Sequence, residues 1–141
     1  MKKDIRLGTT TPNITMDIPS GNINIFIPGN VPSSKNTKQW TGRYLVWSKA
    51  AQKYVKDTEE YWLEYKNTFK KATRGKSKPY WIKFKLIRGS KHKFDYPNPL
   101  QTLLDLMVKY EWISDDNADE IIPVFEPYEY NKKNPGVIIK I

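Results

Sequence analysis

The 141 residues predict an α+β domain built from a small mixed sheet and two main helices. Three observations carry that expectation. The segment PYWIKFKLIR alternates strictly, with Ile82, Phe84 and Leu86 on one side and Lys83 and Lys85 on the other, the pattern of a strand. Two other stretches, Ser48 to Lys71 and Asn98 to Tyr110, repeat their apolar residues at three and four positions, the spacing of helices. Apolar residues make up only 38% of the chain while aromatics reach 13%, so a core must lean on rings such as Trp47, Trp62, Trp81 and Trp112.

The length suits one domain. Residues 1–20 mix Thr, Pro, Asn and Gly without periodicity and are expected to form a flexible arm, leaving 21–141 as the domain. In NINIFIP, Ile23, Ile25 and Ile27 alternate with Asn22, Asn24 and Phe26, which predicts a first strand buried on one face. From Pro28 to Gly42 the chain is dense in Pro, Gly, Ser and Asn and carries Lys35, Asn36 and Lys38, so a polar loop able to contact phosphate is expected. Ser48 then caps a helix whose inner face is Ala51, Tyr54, Val55, Thr58, Trp62, Tyr65 and Phe69, its outer face mixing lysines with Glu59, Glu60 and Glu64. A basic turn with Arg74 and Lys76 leads into the alternating strand, whose lysines read either as a cationic stripe or as protection of a sheet edge.

Asn98 followed by Pro99 predicts the start of the second helix, cap then proline. Its buried stripe is Leu100, Leu103, Leu104, Met107 and Val108, with Gln101, Asp105 and Lys109 spaced along the other side. Two last strands are expected near 120–125 and 136–141, separated by the turn-rich EPYEYNKKNP.

With no cysteine and one histidine, His92, thiolate and histidine-rich metal centres are excluded, and any metal would be held by oxygens. The apolar runs are short and the first residues lack the apolar stretch of a signal peptide, so a soluble, cytoplasmic protein without membrane contact is expected. Residues 1–94 hold 20 Lys/Arg against 6 Asp/Glu, whereas 95–141 hold 4 against 9. A basic majority around an acidic minority suits a nucleic-acid enzyme, lysines drawing in phosphate and carboxylates holding a metal; the plainer alternative is a lysine-rich solubility surface.

The acids bracket the second helix: Asp95 precedes it, Asp115 and Asp116 follow it, and Asp105 lies on it. Magnesium is held by a few carboxylates completed by water and phosphate. Along the helix Asp95 and the doublet would stand about 15–20 Å apart, so they meet only if the chain folds back. A doubled aspartate is otherwise ordinary turn chemistry.

DYPNPLQTLLD, Asp95 to Asp105, followed at the matching distance by Asp115-Asp116, and preceded by a strand running into IPGNVPSSKN, resembles the RusA family of Holliday-junction resolvases. The resemblance implies an α+β homodimer, encoded by phages or prophages, that binds four-way junctions and cuts them with magnesium, manganese being an alternative. It implies that Asp95 and Asp116 are catalytic, metal-binding residues with Asp115 the adjacent acid, supported by Asn98, Gln101 and Asp105. DNA contacts would come from Lys35, Asn36, Lys38, Arg43, Arg74, Lys76, Lys91 and Lys93. Where the family has a second aspartate and a lysine, this chain has Pro97 and Gln101. Asn98, Asp115 or Asp119 would then have to replace the acid, and Lys91 or Lys93 the cation; His92 reads as a phosphate contact or as inert more than as an acid or base. A branched-DNA-binding protein with impaired catalysis is the alternative expectation.

Overall fold

In the computed structural model residues 23–33, 38–40, 42–43 and 45–141 are described. The element order is β1 (Asn24–Pro28), β2 (Lys38–Trp40), β3 (Leu45–Trp47), α1 (Lys49–Thr73), β4 (Tyr80–Arg88), α2 (Pro97–Lys109), β5 (Ile121–Phe125), β6 (Glu129–Tyr130) and β7 (Gly136–Lys140). The main sheet is mixed, in the order β1-β7-β4-β5, with β6 paired to β4 beyond β5. β7 runs antiparallel to β1 and β4, whereas β5 and β6 run parallel to β4. The expected α+β architecture, a mixed sheet with two main helices, is therefore the one observed.

Alternation decides which side of the sheet is buried. Ile82, Phe84 and Leu86 on β4 and Val137 and Ile139 on β7 face the core with Ile25 and Ile27 of β1, while Ile23 is exposed rather than part of that row. Lys83 and Lys85 do lie opposite, but β4 is an interior strand, so neither edge protection nor a free cationic stripe describes them. Lys83 pairs with Glu126, Lys85 with Glu129, and Lys140 with Glu126, a ladder of opposite charges across strands. Gly136 is required by a close approach: a Cβ there would stand 2.5 Å from the Phe26 ring and 2.6 Å from the Ile27 carbonyl oxygen.

Ser48 caps α1, its hydroxyl accepting from the Ala51 N–H, as the sequence predicted. Trp62 and Phe69 of α1 meet Trp112, with Trp62 and Trp112 centroids 5.0 Å apart and Phe69 stacked on Trp112 at 5.1 Å. The two buried indoles are satisfied, Trp62 Nε1 donating to Thr58 Oγ1 and Trp112 Nε1 to the Trp62 carbonyl. Trp47 and Trp81, also read as core rings, are half-buried.

Several local expectations differ from the structure. The segment 28–42 is not loop throughout, because Lys38–Trp40 pairs antiparallel with Leu45–Trp47 as a separate two-stranded ribbon. α2 starts at Pro97, so Asn98 lies inside the first turn and is not the cap; Tyr96 holds the cap position in helical geometry without a side-chain hydrogen bond. Thr102 and Leu106 join the buried stripe of α2, whereas Leu100 and Val108 are half-buried. The turn-rich stretch before the last strand contains β6. The arm expected over 1–20 lies outside the described residues.

Candidate functional site

What closes α2 also aims the acids. Glu111 adopts a left-handed backbone, φ 63°. Its N–H donates to the Val108 carbonyl and that of Trp112 to Met107, the two crossed hydrogen bonds that end a helix through such a residue. The reversal drives Trp112 into the core and returns the following segment along the helix. Asp116 thereby reaches Gln101: the Gln101 amide nitrogen donates to Asp116 Oδ2 at 3.1 Å and to Asp105 Oδ1 at 2.8 Å.

The chain thus folds back far enough for Asp116 to reach α2 at Gln101, four residues after the helix begins at Pro97. Asp95 is exposed, its carbonyl accepting from the Asn98 N–H. Asp115 points elsewhere: Oδ1 accepts from the Asp116 N–H and Oδ2 from the Asn117 amide, which hold its carboxyl below the usual range, the backbone bond first. Asn117 in turn accepts from the Asp119 N–H. Ser114 Oγ donates to Glu120 Oε1 at 2.8 Å and closes the base of the loop, and with Lys78 it keeps Glu120 low.

Among the described residues no group of three or more His, Cys, Asp or Glu side chains gathers as a metal-holding cluster. Two carboxylates sharing one amide nonetheless fit magnesium, which one or two protein carboxylates hold when water and phosphate complete its shell. The sequence placed Gln101 and Asp105 on one helix side; it gave no sign that Gln101 also ties Asp116, because that bond exists only after the chain reverses.

The cations expected to contact DNA are not gathered in one place. Arg74 and Lys76 precede β4 and Lys91 and Lys93 follow it, so they attach to opposite ends of a nine-residue strand, about 27 Å long. Lys91, His92 and Lys93 are exposed on the segment that leads to Asp95. Arg43 is exposed between β2 and β3, Lys38 opens β2, and Lys35 and Asn36 lie outside the described residues.

A second group, which sequence reasoning missed, surrounds the start of α2. Phe94 meets Tyr96 and Tyr128 edge-on at 5.3 and 5.1 Å, and Tyr96 packs on Phe125 at 4.6 Å. The Tyr96 hydroxyl accepts from the Tyr128 N–H. Arg88, the last residue of β4, lies over Phe94 at 4.2 Å, and burial lowers the pKa of its guanidinium. The signal available was the aromatic density of KFDY and EPYEY, the first read only for Lys93 and Asp95 and the second only as turn.

Compared with protein-family models and with curated protein sequences, the chain matches none. Among the described residues no helix is long and apolar enough to cross a membrane.

Proposed function

We propose that the chain is a RusA-like protein that binds branched DNA as a homodimer and cuts it with magnesium at a site centred on Asp116 and Asp105, with Asp95 at the adjoining helix start. The observation that carries this reading is the shared amide: Gln101 holds Asp105 and Asp116 together although the chain separates Gln101 from Asp116 by a helix end and a reversal. Nothing in core packing demands that bond, since Gln101 is exposed.

Asp116 and Asp105 would hold the ion, with Asp95 as the further carboxylate. Bound magnesium polarises a phosphoryl oxygen and lowers the pKa of water. The chain's own residues do the rest. Gln101 keeps the two carboxylates at a fixed separation and supplies N–H donors where the resembling family has a charged lysine, so orientation is kept and a positive charge is given up. Lys91 and Lys93, beside Asp95, draw the DNA backbone toward the acids by contacts that carry no base identity. A two-fold dimer would place two such sites on a symmetric junction.

A second reading, junction binding without cutting, is favoured by a separate observation. Asp115 spends its carboxylate on its own turn and Pro97 offers no donor, so the acids held together are two rather than three. One experiment separates the readings: a mobile four-way junction incubated with the protein in magnesium or manganese, against Asp116→Asn. Metal-dependent nicking that Asp116→Asn abolishes while gel-shift affinity persists supports cutting. Binding without nicking in either metal gives the second reading, and equal nicking by the variant removes Asp116 from the site.

A further inference from the structure

The C-terminal end of β4 carries aromatic side chains to which the acidic site gives no role. Tyr128 and Tyr130 are 50% and 42% exposed, two of the few large apolar side chains left open to water among the described residues. They are not on a loose loop. Tyr130 pairs with Arg88 in the β6–β4 ladder, and Tyr128 is held by its backbone bond to the Tyr96 hydroxyl and by the Phe94 edge. Rings fixed this way present flat faces at little further cost in conformational entropy.

Cations stand among these rings, Lys91 at Tyr130 and Arg88 at Phe94. Lys91 Nζ stands 4.9 Å over the Tyr130 ring. Arg88 is only 3% exposed, and its Nε and Nη1 have no hydrogen-bond partner. Among the described residues no carboxylate pairs with it; the Phe94 ring is what it lies against. A guanidinium buried without an anion is costly, and its uncompensated charge makes the patch above it attractive to one. Flat aromatic faces beside unmatched positive charge are the combination by which proteins hold unpaired bases and the phosphates joined to them.

We infer that Tyr128 and Tyr130 form a stacking platform for unpaired bases of single-stranded DNA, with the adjoining phosphate drawn to Arg88 and Lys91. Phe94 and Tyr96 flank Asp95 in the chain, so the platform adjoins the start of α2, where an opened strand at a branch would pass. A duplex keeps its bases stacked on one another and offers the tyrosines nothing, so the platform discriminates by strand state. An acidic peptide would use the cations but not the ring faces.

The inference rests on the DNA reading above, but its test needs neither metal nor cleavage. A short oligothymidylate and a blunt duplex of equal length are titrated in metal-free buffer and followed by fluorescence anisotropy. The parent should prefer the single strand. Replacing both tyrosines by leucine should weaken that binding by about tenfold or more and leave the duplex unchanged, whereas replacing both by phenylalanine should retain it. Arg88→Met should weaken single-strand binding without lowering the melting temperature, because it removes an unpaired buried charge. Leucine variants that bind the oligonucleotide like the parent overturn the platform, as does a parent without strand preference, or an Arg88→Met that melts earlier and binds normally. Loss of junction cleavage with strand preference retained would sink the nuclease reading alone; cleavage without strand preference would sink the platform alone.

Discussion

At its C-terminal end α2 is closed by backbone hydrogen bonds from Glu111 and Trp112, and the Trp112 ring drops into the core; at its N-terminal end no side chain caps the helix, and packing of Tyr96 on Phe125, with the hydrogen bond its hydroxyl accepts from the Tyr128 N–H, sets its position. One end is fixed by local geometry, the other by tertiary contact. The difference bears on the acids. Asp116 follows the locally locked end and is delivered to Gln101, whereas Asp95 precedes the end that aromatic packing holds and remains exposed. An acid whose position depends on a chain reversal needs that reversal to be rigid; one that merely leads into the helix does not.

The contrast breaks most completely at Trp112. Trp112→Ala removes a buried ring and its hydrogen bond to Trp62 and should cost about 3–5 kcal/mol of stability, read by chemical denaturation, with loss of the Gln101–Asp116 contact. A matched pair of cap variants sharpens it. Ser48→Ala, which removes a real cap from α1, should cost about 1 kcal/mol, whereas Asn98→Ala, at a position that only looks like a cap, should stay within about 0.5 kcal/mol. Glu111→Gly relieves the left-handed backbone at the locked end and gives up only an exposed ion pair with Lys66, so it should raise stability by about 0.5 kcal/mol.

The smallest effect is a pH dependence on the aromatic-held side. Glu126, the residue after Phe125, has its carboxyl held low, first by Lys140 and further by Lys83. A carboxylate whose pKa is depressed on folding contributes stability above its unfolded value and loses it as pH falls through its folded value. Melting curves in increasingly acid buffer should therefore fall less steeply for Glu126→Gln than for the parent.

Elements long enough to repeat a period several times were legible: β4 through its alternation, α1 through its apolar recurrence and Ser48. What failed was short or depended on distant contacts. β6 is two residues within a turn-rich segment, and β2 lies in a polar stretch whose pairing partner alone makes it a strand. Asn98-Pro99 imitates a helix start, but Pro97 offers the same signal two residues earlier, and the packing of Tyr96 decided between them. For the candidate site, the acids and their spacing could be read directly, and so could the shared helix side of Gln101 and Asp105. The reach of Gln101 to Asp116 could not, because it hangs on a left-handed residue at Glu111 where glycine is the usual choice.

The hydrogen bond from Ser114 to Glu120 ties the two ends of the acidic loop to each other. Its span is then set by the scaffold, and residues 115–119 are a detachable insert on a fixed frame. Their composition is free to drift, or to be exchanged for another segment of equal length, without disturbing the sheet or the tryptophan core beneath. The frame constrains where residue 116 stands, and the segment 115–119 determines which side chain is carried there.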